Sequence, residues 1–321
     1  MAPPAHPPAI LLMGPTASGK TAVATRLATT LPCEIISVDS ALVYKDMNIG
    51  TAKPDADTLR HAPHHLINLI EPHESYSAAR FRDDALTAMR EITERGNIPL
   101  LVGGTMLYFK ALVEGLNDLP EADSTIRLII ETMAEEDGWP AVHEKLRKVD
   151  PETAARLEPG DAQRIQRALE IYYITGKSMT DLLKKPKYVY FPYTPIRIAL
   201  LPGDRAALHE RIARRFGAML DAGLVAELRR LREDYALEPD MPAMRCVGYR
   251  QAWDHLIGKI SLDELREQGI AATRQLAKRQ LTWLRATEGL TEFDCLADNV
   301  GDLVLEYIRQ ELEAMMIAGE S

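Results

Sequence analysis

Gly14-Pro15-Thr16-Ala17-Ser18-Gly19-Lys20-Thr21 is the stretch that decides how this chain folds. It fits the G-x-x-x-x-G-K-[ST] phosphate-loop pattern, a nucleotide- and ATP-binding type of loop. The apolar run Ala9 to Met13 before it reads as a buried strand, and Gly19 to Thr30 after it as a helix. In that context the glycines let backbone N–H groups turn inward around phosphate oxygens, and the helix N-terminus adds its partial positive charge. Lys20 supplies a full charge, and the Thr21 hydroxyl is suited to ligating Mg²⁺. The loop alone does not say which phosphates it holds, what leaves or what attacks.

Outward from the loop, the first hundred or so residues alternate short apolar runs with helical patterns, the signature of a parallel sheet covered by helices. Cys33 to Val38 reads as a second strand ending in Asp39-Ser40, and Ile98 to Val102 as another ending in Gly103-Gly104-Thr105. Carboxyl ends of parallel strands are where open α/β sheets hold ligands. Ala41 to Pro63 reads as a long connection, and such loops are usually functional or disordered. His65 to Ile70 is a candidate strand, and Ser77 to Arg95 an amphipathic helix closed by Gly96. From Asp123 to Lys185 only helical patterns occur, Ile196 to Leu201 returns to a strand, and Cys246 to Ile257 reads as a helix. The expected fold class is therefore α/β: a P-loop NTPase-like parallel sheet flanked by helices, with an all-helical insertion domain. The expected boundaries are a disordered tail at 1–8, a core of 9–116 and 195–321 whose C-terminal part is helical, and an insertion of 117–194.

Composition bounds the rest. The 321 residues suffice for one large or two modest domains. With 38 Lys and Arg against 47 Asp and Glu, the net charge is −9. That sum disfavours a nucleic-acid partner unless basic side chains are gathered on one face. Cys33, Cys246 and Cys295 are widely spaced and odd in number, which suits reduced thiols in a cytoplasm better than disulfides or a zinc site. No apolar run approaches the roughly 20 residues of a membrane helix, so no membrane association is expected. Met1 to Pro8 lacks the apolar region of a signal peptide.

Asp39 at its strand end has three readings: water-mediated Mg²⁺ ligand, general base, or cap of the next segment. Thr105 faces the same crevice or caps the Met106 helix. Arg274, Lys278 and Arg285 share one helical stripe, flanked by Arg279 and interleaved with Gln275, Gln280 and Trp283, and no acid lies between Glu267 and Glu288. Arg245-Cys246-Val247-Gly248-Tyr249-Arg250 and Gln163-Arg164-Ile165-Gln166-Arg167 repeat the Arg-rich theme. Three such clusters in an acidic chain point to a folded polyanion. One of Arg211, Arg214 and Arg215 is in a position to clamp charge at the phosphate end. His64-His65 has no partner at metal spacing and reads as structural.

These residues together resemble one family. GPTASGKT at 14–21, ISVDSALVYKDMNIGTAKP at 36–54, PLLVGGTMLY at 99–108, DAQRIQRALE at 161–170, MRCVGYRQ at 244–251 and TRQLAKRQLTWLR at 273–285 are similar to the bacterial tRNA dimethylallyltransferases, and the likeness covers nearly the whole chain. Leu42 is a departure, since many members carry Gln there. The resemblance implies a cytoplasmic, monomeric prenyltransferase that uses Mg²⁺. It would move a dimethylallyl group from dimethylallyl diphosphate to N6 of the adenosine 3′ of the anticodon, in tRNAs reading codons that begin with U, and release pyrophosphate. Gly14 to Thr21 would hold the diphosphate, with help from Arg215, and Thr21 the metal. Asp39 would be the general base and Thr105 would position the amine. The tRNA anticodon stem-loop would meet Asp39, Ser40, Ala41, Leu42, Thr105, Arg127, Gln163 to Arg167, Arg245 to Arg250, and Lys278-Arg279-Gln280-Leu281-Thr282-Trp283-Leu284-Arg285, with the insertion domain taking part. The rivals are a P-loop nucleotide kinase, an isopentenyltransferase acting on free adenine nucleotides, and a non-catalytic RNA-binding switch.

Overall fold

Ala9 to Met13 contains no polar side chain, and it runs through the middle of a sheet as part of β1 (Pro8–Met13). A computed structural model describes residues 6–319 except Pro186 and Tyr188. The other strands are β2 (Cys33–Val38), β3 (His64–His65), β4 (Ile98–Gly103), β5 (Thr194–Leu201) and β6 (Thr291–Asp294). All six pair in parallel in the order β3-β2-β4-β1-β5-β6. The expected parallel α/β sheet is present.

Both faces of the sheet are apolar because helices cover both. Ile10, Leu12, Ile35, Leu100, Val102, Ile198 and Leu200 form one face with Val23, Ala24 and Leu27 of α1 (Lys20–Thr30) and Val304, Leu305 and Ile308 of α14 (Val300–Gly319). Side chains alternate along a strand, so Leu11, Ile36 and Leu101 point the other way, and they too are buried. There α3 (Ala78–Glu94) packs on β2 and β4 with Phe81, Ala85, Met89 and Ile92 inward. Ser77 caps that helix by accepting from the Arg80 N–H at 3.1 Å.

The structure departs from the sequence reading in four places. Residues 1–5 of the expected tail lie outside the described residues, but the rest is not loose. Thr194 donates from its N–H to the Pro7 carbonyl at 2.9 Å and from its hydroxyl to the His6 carbonyl at 3.2 Å. The 41–63 connection is ordered and contains α2 (Ala56–His61), capped by Asp55. The strand expected over 65–70 stops at His65, because Leu66 and Asn68 adopt φ of 61° and 53°, which breaks an extended run. The helix expected from Cys246 starts at Tyr249 as α12 (Tyr249–Leu256), since Gly248 at φ 96° cannot continue a right-handed helix.

The chain divides into two compact units, 1–112 with 192–321 and 113–191. In the first, the remaining helices are α4 (Met106–Glu114), which runs on into the second unit, α10 (Arg205–Asp221), α11 (Leu224–Asp234) and α13 (Leu262–Arg285). A second apolar core joins Val43, Tyr44, Met47 and Ile70 to Phe216, Leu224, Leu228, Tyr249 and Trp253. That core orders the long connection. The second unit holds α5 (Ser124–Asp137), α6 (Trp139–Val149), α7 (Pro151–Ala154), α8 (Ala162–Thr175) and α9 (Met179–Leu183) around Ile130, Val142, Leu146, Ile165 and Leu169.

Candidate active site

The site follows from where the connections diverge. After β1 the chain enters α1 on one face of the sheet. After β4 it enters α4, whose Tyr108 stacks on Phe81 of α3, on the other face, with ring centroids 4.4 Å apart. β1 and β4 are neighbours, so their carboxyl ends part to leave a crevice. The phosphate loop ends β1, Gly103-Gly104-Thr105 ends β4, and Asp39-Ser40 ends β2 on the far side. Two strand spacings separate Asp39 from the phosphate loop, about 10 Å. Gly103 permits the close pairing on that side: a Cβ there would lie 1.9 Å from the Val38 carbonyl oxygen.

Ala17 and Gly19 hold φ of 64° and 81°, the left-handed turns that curl the loop. A Cβ on Gly14 would sit 2.7 Å from Ser18 Oγ and 2.9 Å from the Leu200 carbonyl oxygen. Lys20 Nζ donates to the carbonyls of Gly14 and Pro15 at 2.9 and 2.6 Å. Burial in the loop, with Arg215 nearby, pulls its pKa down to about 8, while Asp39 pushes the other way. Arg215 on α10 feels the same cost of enclosure, and Asp39 again opposes it. Arg215 is exposed to solvent. Arg211 is committed elsewhere, to the Cys295 carbonyl at 3.0 Å. Two cations thus face one carboxylate, and an anion between them would relieve their mutual repulsion.

That arrangement fixes a pH dependence. Lys20 has its pKa lowered, so it keeps its proton below about pH 8 and loses it above. Pyrophosphate affinity, measured by calorimetry, falls as pH rises through that value. Lys20→Arg flattens the fall, since Arg stays charged, while the ligand's own titration is common to both proteins.

Asp39 is turned toward the crevice by its own segment: Oδ1 accepts from the Ala41 N–H at 2.8 Å. Thr105 does not spend its hydroxyl capping α4. Oγ1 accepts from the Ser40 N–H at 3.0 Å, and the Thr105 N–H donates to the Val38 carbonyl at 3.2 Å. The ends of β2 and β4 are therefore tied beside the carboxylate. Cys246 lies within the field of Asp39, and burial pushes its thiol up to about 12, so it remains a protonated thiol.

Thr21, exposed in the first turn of α1, is the loop's metal candidate. Among the described residues no group of three His, Cys, Asp or Glu is gathered to hold a metal. Mg²⁺ takes one or two protein oxygens, substrate phosphates and several waters, and the Thr21 hydroxyl is an oxygen of that kind.

The three Arg-rich segments separate into inward and outward side chains. In α13, capped by the reciprocal Ser261–Glu264 pair at 3.2 and 2.7 Å, Lys278, Arg279, Thr282, Trp283 and Arg285 are exposed, and Leu281 and Leu284 are buried. Lys110 Nζ lies 5.7 Å from the Trp283 ring centroid. Ser40, Arg245 and Arg250 are exposed, Ala41, Leu42, Cys246 and Val247 half-buried, Gly248 and Tyr249 buried. In α8, Gln163 and Arg164 are exposed and Ile165 is in the core. Arg127 and Arg167 are not loose surface cations: both pair with the buried Glu170 carboxylate, at 2.8 and 2.5 Å. Gln166 donates to Glu131 Oε1 at 2.8 Å. Ile165, Leu281 and Leu284 are turned inward by the helical period that exposes the basic residues, and Gly248 and Tyr249 are buried at the start of α12.

Sequence reading missed Glu227. Its carboxylate is 3% exposed and accepts from the N–H groups of Asn48, Ile49 and Gly50 at 2.8–3.2 Å and from the Tyr249 hydroxyl at 2.5 Å. Burial, then Glu227, raises the Tyr249 phenol well above its usual range. The signal was available: Glu227 falls on the apolar stripe of Leu224, Leu228 and Leu231.

Comparison with known proteins accounts for the pattern. The family model described as IPP transferase matches residues 42–287. The chain belongs to the IPP transferase family. The tRNA dimethylallyltransferase of Nitrosospira multiformis is 59% identical over 303 residues, 94% of each chain. Among solved structures, the full-length tRNA isopentenylpyrophosphate transferase of Bacillus halodurans superposes with a TM-score of 0.71 at 36% identity, over 98% of this chain and 99% of that one. A eukaryotic dimethylallyltransferase acting on tRNA gives 0.74 at 28% identity, over 91% of this chain and 75% of the other. The phosphate loop lies before the span matched by the IPP transferase model.

Proposed function

We infer that this chain prenylates tRNA, moving a dimethylallyl group from dimethylallyl diphosphate to N6 of the adenosine 3′ of the anticodon. The observation that carries the reading is the Asp39 carboxylate standing across a glycine-walled crevice from Lys20 and Arg215, close enough to shift both of them. The nucleotide-kinase and free-nucleotide readings lack support from the relatives, whose names specify tRNA.

An exocyclic amine is a weak nucleophile, since its lone pair is delocalised into the ring. Asp39 takes its proton as nitrogen forms a bond to the allylic carbon. The carbon–oxygen bond to the diphosphate breaks, and its electron pair leaves with the pyrophosphate. Lys20, Arg215 and the backbone N–H groups of 14–21 take up that charge. Thr21 would hold Mg²⁺, which supplies further neutralisation of the diphosphate. Thr105, tied to Ser40, sets where the amine sits relative to Asp39. The base must leave the anticodon-loop stack, which costs a few kcal/mol. Trp283 and the exposed Arg and Lys of α13 offset this by stacking and charge.

The outward-facing residues of 39–42, 163–167, 245–250 and 278–285, together with Arg127, form the tRNA footprint in this reading, and the helical unit 113–191 takes part through α5 and α8. In this reading, which follows the family resemblance, the protein acts as a monomer in the cytoplasm. Separately, no helix of the described residues is long and apolar enough to cross a membrane. Incubation with dimethylallyl diphosphate, Mg²⁺ and unmodified tRNA carrying adenosines on both sides of the target yields N6-isopentenyladenosine on nucleoside analysis. Absence of that product refutes the activity. Lys278→Ala weakens tRNA binding severalfold and lowers the slope of log Kd against log salt by about 0.7–0.9, as for one lost phosphate contact. An unchanged slope removes Lys278 from the footprint.

A further inference from the structure

Gln280 belongs by sequence to the basic, RNA-facing segment of α13. Its side chain does something else. Nε2 donates to the Gly104 carbonyl at 2.9 Å, and Oε1 accepts from the Thr16 N–H at 2.8 Å. Each end of the carboxamide meets its complement, so turning the amide over would set donor against donor and acceptor against acceptor. The backbone is shaped around it: a Cβ on Gly104 would stand 2.3 Å from Nε2. Gln280 shares the inner stripe of α13 with Ala277, Leu281 and Leu284. Ala277 and Leu281 are buried against Leu208 and Ile212, with Ala17 and Leu201 packed on the same cluster. The amide is thus presented from a rigid helix face.

We propose that Gln280 is a positioning residue that ties the phosphate loop to the β4 loop and so sets the separation between diphosphate and general base. This rests on the reading of the crevice as the prenyl-transfer site. The connection is continuous on the page. Thr16 in the phosphate loop bonds Gln280, and Gln280 bonds Gly104. Thr105 follows Gly104 and accepts from the Ser40 N–H, and Ser40 follows Asp39. Without the carboxamide, this hydrogen-bonded link between the cradle of the leaving group and the carboxylate is lost. Small misplacements of reacting groups are costly, with about 10²-fold lost for 1 Å.

Gln280→Met keeps length and packing and removes both bonds. It lowers kcat about 10–100-fold at saturating tRNA. It weakens pyrophosphate binding about tenfold, in line with one net hydrogen bond. tRNA affinity stays within about twofold, because the amide does not face RNA. Gly104→Ala reaches the same state from the other side without altering Gln280, and it serves if the Met variant folds poorly. If the tie is what both disturb, the double variant Gly104→Ala/Gln280→Ala is no worse than the poorer of Gly104→Ala and Gln280→Ala alone. Loss of tRNA affinity with kcat retained makes Gln280 an RNA contact and overturns the proposal. Unchanged kcat and pyrophosphate affinity overturn it as well. The calorimetric readout needs no acceptor, so an inactive wild type refutes the prenyl-transfer reading without deciding this one.

Discussion

Asp39→Asn lowers kcat by about 10²–10⁴-fold, the range of general-base catalysis, and leaves tRNA affinity within about twofold. Asn is the informative replacement. Its carbonyl oxygen still accepts from the Ala41 N–H, the bond that orients Asp39 now, so the turn survives and only proton acceptance is lost. Single-turnover formation of prenylated adenosine reads the chemical step, and filter binding of tRNA reads the affinity. A collapse of tRNA binding with Asn would assign Asp39 to structure. The same substitution removes the carboxylate that supports protonation of Lys20 and Arg215. Their pKa values fall further, so the midpoint of the pyrophosphate pH dependence moves below about 8.

Glu227→Ala destabilises the protein by about 3–5 kcal/mol. Removing one side of a buried charged network leaves several donors unpaired, each costing about 1–3 kcal/mol. Here the orphans are the N–H groups of 48–50 and the Tyr249 hydroxyl, in a tightly packed region: a Cβ on Gly50 would lie 2.5 Å from the Tyr249 ring. Urea unfolding followed by far-UV dichroism measures the loss. Tyr249→Phe removes only one of the four donor groups and costs about 1–2 kcal/mol. Equal stability of Glu227→Ala and wild type would mean that the connection is held by its apolar side chains alone.

Legibility of this chain divides by physical cause. Strands β1, β2, β4 and β5 stand out because parallel strands buried on both faces are continuous apolar runs. The phosphate loop is legible because its glycines and Lys20 answer to local backbone geometry. Asp39 and Thr105 are visible as polar residues placed directly after buried strands. The break of the third strand at Leu66 was not visible, because a positive φ in Leu is imposed by surroundings rather than preferred by the residue. The position of Glu227 on an apolar stripe was visible, but the partners of Glu170 and Glu227 were not: a buried carboxylate is tolerated only once distant donors converge on it. Those donors come from residues 123, 127 and 167 for one and from 48–50 and 249 for the other.

The sequence by itself determined the parallel sheet, the anion cradle at Gly14 to Thr21, the acid at Asp39 and the presence of Arg-rich helices, since each depends on residues adjacent along the chain or on a helical or strand period. Only the tertiary structure decided which arginines are free and which are pinned to Glu170. It alone turned Gln280 inward to the phosphate loop, and it alone committed Arg211 to the Cys295 carbonyl. Such choices depend on which side chains meet across the fold: hydrogen bonds between residues as far apart as Thr16 and Gln280 exist only after the chain has closed on itself.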